Sequence, residues 1–323
     1  MANSLIGSLF IFSFKMGKFF KKAFVLALSI VTFIIAAIFF PSKPAKQDLL
    51  YAQIDKNKLL KNTPSPRMIF VGGSNLSFGL NSKMLKDSLH VNPINTGIHA
   101  GIGLKYMIAN TLQYVKQGDV IVISAEYQQF FGNLAYGTNE LFSEVIDIVP
   151  ESRNLIDYKQ YIKLIQLAPE FAQTKLRPIL LFYNLHQDTS INIYDRKAFN
   201  VYGDAFLHWK MTGKTPKPYS AITERFNDDI LKDLINFKNK INQKKAKLYV
   251  TFPGYQFSSY KISIPAIKQV QQRLKNNGFS TISTPEEFIM PDSLIFDTPY
   301  HLIKRGVDYR TELLLNDLKK LIR

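Results

Sequence analysis

Three side chains in this sequence have the makings of acyl-transfer chemistry, and they stand at opposite ends of it. Ser74 follows an apolar, β-branched run, Met68 Ile69 Phe70 Val71, that breaks into Gly72 and Gly73. That pattern predicts a buried strand delivering the serine to a sheet edge. A serine alone is a weak nucleophile and needs a base with an orienting partner. Asp297 Thr298 Pro299 Tyr300 His301 supplies both residue types. In such a triad His301 takes the Ser74 proton, and Asp297 fixes the imidazole tautomer and stabilises its charged form. The backbone amides of Ser74 and Gly101 are the candidate oxyanion donors. Asp292 is the alternative partner for His301. Glu126, just after a third apolar run, either contacts a ligand or caps the next segment.

Those residues must be brought together by the elements between them. After the strand 68–72, Asn81 reads as the N-cap of a short helix to Leu89, and Pro93–Asn95 as a second strand. Gly97, Gly101 and Gly103 make a turn able to approach a ligand, and Leu104–Lys116 has helical spacing. Val120–Ile123 is a continuous apolar strand of the kind buried on both faces of a parallel sheet. Helices are expected at 223–243, 264–276 and 305–322, and strands at 248–252 and 279–282. Strands alternating with helices predict a three-layer α/β/α body with a parallel, flavodoxin-like sheet. Every strand then presents its carboxyl end to one side, where ligands bind, so Ser74 and His301 are expected to meet there. Residues 127–222 interrupt the alternation, with helical stretches at 155–167 and 169–183. The remainder of that insertion, carrying Tyr194, Tyr202, Phe206, Trp209 and Tyr219, is read as covering one mouth of the sheet, as an aromatic lid or a packing loop.

Ala23–Phe40 is a run of 18 residues without a charge. At ~1.5 Å per residue it covers about 27 Å, enough to span a bilayer core. No small-residue cleavage site follows, which predicts an uncleaved anchor. Lys15, Lys18, Lys21 and Lys22 precede it and favour a cytoplasmic N-terminus, residues 1–22, with the body outside. Leu5–Phe14 is too short to cross and is expected in the interface. The proline-punctuated residues 41–66 read as a stalk with a short helix, and the folded body as 67–323. The chain carries 41 Lys+Arg against 25 Asp+Glu, a net charge of +16, of which +12 lies after residue 22. Such a surface favours polyanions, or simply reflects solvated lysine-rich helix faces. The lack of cysteine excludes disulfides, zinc–thiolate sites and a cysteine nucleophile. His90, His99, His186 and His208 show no ligand spacing, so no metal or cofactor is expected. His99 is placed to line the pocket. No nucleic-acid-binding signature accompanies the charge.

In the order and spacing of these motifs, residues 67–323 resemble the SGNH/GDSL hydrolase superfamily, and within it the membrane-anchored DltD-like and alginate-acetylation-like branch. Gly72 Gly73 Ser74 Asn75 resembles the nucleophile block, Asn95 Thr96 Gly97 to Gly101 the glycine block, and Asp297 to His301 the terminal block. The resemblance implies Ser74 as nucleophile, His301 as base, Asp297 as its partner and Gly101 as an oxyanion donor. Asn75, Asn95 and Glu126 are further candidates for oxyanion or substrate contact. The sequence departs from the pattern at three points. Gly73 stands where an aspartate usually precedes the serine, Ser124 Ala125 Glu126 Tyr127 lacks the usual asparagine, and one extra residue separates Asp297 from His301. The activity implied is acyl transfer to, or ester hydrolysis on, a cell-surface glycan or polymer through an acyl-Ser74 intermediate. A membrane-bound O-acyltransferase at the cytoplasmic (inner) membrane is the implied partner. The alternative is a non-catalytic glycan-binding or scaffold subunit.

Overall fold

A computed structural model of the chain describes residues 2–40, 48–180 and 192–322, which fall into two compact units. The first comprises the N-terminal helix and residues 166–180; the second, residues 48–165 and 192–322, carries the candidate site.

In the first unit helix α1 runs unbroken over Ala2–Ile38. Its segment Met16–Ile38 is long and apolar enough to cross a membrane, with a mean hydropathy of 2.1. The segment expected in the interface, Leu5–Phe14, and most of the span expected at 23–40 fall on this one helix, which ends at Ile38. No residue between Leu5 and Ala23 breaks it, since helix formers such as lysine and methionine fill the polar stretch.

The second unit is an α/β body. Its elements are α2 (Ala52–Asn62), β1 (Arg67–Gly72), α3 (Ser74–Ser77), α4 (Ser82–Leu89), β2 (Asn92–Asn95), α5 (Leu104–Tyr114), β3 (Val120–Ser124) and α6 (Asn139–Ser143). There follow α7 (Tyr158–Leu180), which enters the first unit, then α8 (Asp228–Gln243), β4 (Lys247–Val250), β5 (Tyr255–Gln256), α9 (Phe257–Asn276), β6 (Ile289–Met290) and α10 (Lys304–Ile322). Four strands form a parallel sheet in the order β2-β1-β3-β4. β1 is central and buried along its whole length, with Phe70 and Val71 at 0% exposure. Fully burying such a side chain stabilises the fold by about 1.5–3 kcal/mol. Helix α5 packs on β1 and α8, and α8 on β4. Asn81 caps α4 as expected, its side chain accepting from the Met84 amide.

Several elements differ from expectation. Residues 49–66 belong to the body instead of a stalk: α2 buries Lys56 and Leu60, and the lysines in its sequence concealed an inward face at Gln53, Lys56 and Leu60. The helices expected at 155–167 and 169–183 are one helix, α7, which continues through Pro169; residues 181–183 lie outside the described residues. Helix α9 likewise includes Pro265 and starts at Phe257, well before Ile264. Proline removes a single amide donor, a loss that tertiary packing of a long helix offsets. The strand expected at 279–282 is reduced to a bridge between Val250 and Thr281. The two-residue strands β5 and β6 were not anticipated, being too short to carry a period.

Candidate functional site

Ser74 emerges where the sequence places it. β1 ends at Gly72, whose missing side chain leaves room for the Ser124 carbonyl of β3, and Gly73 caps the short turn α3 that begins with Ser74. Gly72 and Ser124 are register partners on adjacent parallel strands. Ser74 and Glu126, each two residues further on, are therefore neighbours at the carboxyl edge. The Ser74 hydroxyl donates to Glu126 Oε1 at 3.0 Å, and the Asn75 amide donates to the same oxygen at 3.2 Å. Glu126 is 7% exposed, lines the cleft, and joins Gln129 in a capping box on the segment that follows, the capping role read from the sequence.

The terminal block arrives from the loop before α10. His301 Nδ1 lies 2.8 Å from Asp297 Oδ1, whose other oxygen accepts from the Tyr194 hydroxyl at 2.5 Å. Asp292 is occupied elsewhere, accepting from the Ser258 amide. The His301 ring stacks on Phe78 with centroids 4.2 Å apart and planes 17° from parallel. The Leu302 amide donates to the Phe78 carbonyl, which ties the terminal loop to the turn carrying Ser74. Burial acts to raise Asp297, but its bonds to His301 and Tyr194 outweigh it and hold the carboxylate below its ordinary value. His208 packs behind the pair against Phe78, and burial together with His301 lowers it to about 4, leaving it neutral.

Ser74, Glu126 and His301 line one cleft of about 500 Å³, with His99, Tyr194 and Tyr219 among its walls. Burial and the nearby Glu126 push the Tyr219 phenol up to about 12, so it stays protonated and can donate. No lysine or arginine is among the described residues lining the cleft.

The expected hydrogen bond from Ser74 to His301 is not made, because the serine hydroxyl is directed to Glu126. With Nδ1 held by Asp297, the imidazole has Nε2 left for the cleft. The remaining candidates separate. Gly101 lines the cleft, but its amide donates to His99 Nδ1 at 3.1 Å. Asn75 turns its side chain inward, to the Ser124 carbonyl and hydroxyl and to Arg310, and offers the site only its backbone amide. Asn95 is fully buried, spanning the Leu76 carbonyl, Asp204 and the Gly97 amide, and shapes the glycine turn without reaching the cleft. Among the described residues no cluster of three or more His, Cys, Asp or Glu is placed to hold a metal ion.

Two buried cations hold the turns that flank Ser74. Arg310 of α10 donates to the Asn75 and Gly79 carbonyls at 2.8 and 3.1 Å, to Asn75 Oδ1 and to the Ser124 hydroxyl. Lys56 of α2 donates to the carbonyls of Asn95, Gly97 and Gly203. Neither was singled out from sequence, where an isolated basic residue on a helix reads as a solvated face. Ser74 and Glu126 each stand two residues past the end of a strand, a signal for the edge they share but not for the register that pairs them. No family model matches the chain, and no curated protein matches it.

Proposed function

We propose that this chain is a membrane-anchored serine enzyme of the SGNH/GDSL kind, similar to the DltD-like branch. In this reading it moves an acyl group onto or off a cell-surface glycan or polymer by way of an acyl-Ser74 intermediate. The observation that carries the reading is that Ser74 and His301, an imidazole oriented by Asp297, line one cleft. The strand order 2-1-3-4 agrees with the start of the flavodoxin-like order and so with a three-layer α/β/α body. Tyrosines without basic neighbours suit an uncharged polyol ester, whose hydroxyls they can bond and whose ring faces they can cover. Helix α1 supports single-pass anchoring, with the lysines before the span on the cytoplasmic side and the body outside. A membrane-bound O-acyltransferase that supplies acyl groups would complete the system.

The test is covalent. A fluorophosphonate probe is expected to label the full-length chain in detergent and to leave Ser74→Ala unlabelled; equal labelling of both overturns the reading. One observation favours a second reading, a non-catalytic glycan-binding subunit. The Ser74 hydroxyl, the Asn75 amide and the Gly101 amide are all engaged within the protein. Glycan binding by a chain that no probe labels would establish that alternative.

A further inference from the structure

Resting on Ser74 as the nucleophile, we propose that Glu126 is the base that takes its proton, while His301 serves the oxygens of the leaving and accepting alcohols. The division follows from where the hydrogen bonds already run. Ser74 donates to Glu126 Oε1 at 3.0 Å, inside the range expected of a general base and its substrate proton. The carboxylate is fixed for that task by the Asn75 and Gln129 amides. The backbone also makes room for it: a Cβ on residue 73 would lie 2.8 Å from Glu126 Oε1, so the glycine before the serine lets the carboxylate stand where it does. His301 lines the same cleft, and with Nδ1 spent on Asp297 its Nε2 is the ring nitrogen left to exchange a proton with an alcohol.

Counted from a starting arrangement with a proton on His301 Nε2 and none on the Glu126 carboxylate, the exchange balances. As Ser74 Oγ bonds to the acyl carbon, its proton moves to Glu126 Oε1 and the carbonyl becomes an oxyanion. Glu126, now neutral, is a weaker acceptor, so the Asn75 amide is released to the oxyanion as that charge forms. Collapse breaks the bond to the donor alcohol, whose oxygen takes the proton from His301 Nε2. The accepting hydroxyl, from sugar or water, then attacks the acyl-serine and gives its proton to His301. Ser74 oxygen departs with the proton held on Glu126, and every group is restored. Asp297, kept ionised by its bonds to His301 and Tyr194, supports the imidazolium whenever His301 carries both protons.

The experiment compares rates of fluorophosphonate labelling in the full-length chain, because fluoride leaves without a proton and the reaction reads only activation of the nucleophile. Glu126→Gln, which keeps an acceptor for the Gln129 amide, is expected to label at least about 100-fold more slowly than wild type, the usual contribution of a general base. His301→Gln is expected to stay within about tenfold of wild type in labelling while losing acyl transfer by about 100-fold or more. The opposite ranking, or equal loss of labelling in both variants, overturns the assignment of the base alone. A wild-type chain that is not labelled, or Ser74→Ala labelled equally, overturns the nucleophile and this assignment with it. Melting temperatures report whether each variant folds. Should Glu126→Gln not fold, the His301→Gln rate decides: retention supports the proposal and loss overturns it.

Discussion

The sheet has a fully buried arginine at each end, and the two are held differently. At the amino end Arg67 makes a two-pronged ion pair with Asp119 and donates to the Leu60 and Tyr114 carbonyls. Its charge is cancelled where it sits. At the carboxyl end Arg310 meets only neutral oxygens, and its Nε has no hydrogen-bond partner. Burial lowers Arg310 to about 10, which still leaves it charged at neutral pH. The end that serves the fold neutralises its cation, whereas the end that carries the candidate site keeps a bare positive charge against the turn of Ser74. It is held there at a cost in desolvation that pairing with a carboxylate, as at Arg67, offsets.

The largest expected effect breaks the amino end. Arg67→Met strands a buried aspartate and should cost about 3–5 kcal/mol, read by denaturant unfolding, while the folded fraction keeps its Ser74 labelling rate. Arg67→Met combined with Asp119→Leu should cost less than the single change; additive losses would show that the pair is not a unit. At the other end Arg310→Met leaves the Asn75 and Gly79 carbonyls short of a donor, for about 1–3 kcal/mol. Here labelling per folded molecule should slow by about tenfold or more, as loss of a preorganised positive charge implies. Unchanged labelling would erase the functional difference between the ends.

Lys56 sharpens the comparison as a cation that can lose its charge. Burial lowers it to about 7, against the attraction of Asp204 and of three carbonyls that match the three protons of an ammonium. The unfolded chain then binds more protons between about 7 and the ordinary lysine value, so the Lys56 contribution to stability rises with pH across that window. Glu144 works in the opposite sense: burial raises it to about 8, and the stability it contributes is lost as pH climbs through that value. Unfolding of wild type and Lys56→Met at pH 7 and 9 isolates the lysine, and the gain on going to pH 9 should be larger in wild type. The smallest effect is expected from Gly73→Ala. Its new methyl meets Glu126 Oε1 and Ala100, which should cost about 1 kcal/mol and slow labelling as the carboxylate is pushed aside.

The central strands were legible because β1 and β3 carry apolar runs bounded by turn residues, and Asn81 announces its helix. So was the placing of Ser74 and His301 on one cleft, since a parallel sheet sends all its carboxyl ends one way. The partner of the Ser74 hydroxyl was not. It depends on the register of β1 against β3, and a sequence does not print register. Tyr194 was seen only as an aromatic of a lid, yet its hydroxyl reaches Asp297. Lys56 and Arg310 were hidden for a more general reason: a buried basic residue differs from an exposed one only in what surrounds it. Pro169 and Pro265 misled because local propensity was weighted above packing.

The close approach of Glu126 to Cα of Gly73 also constrains how this chain can change. An aspartate cannot enter position 73 while the carboxylate holds its ground, and removing the carboxylate first leaves the serine without its present partner. Among descendants of this sequence the two positions should therefore be inherited as a linked choice, glycine with glutamate or neither.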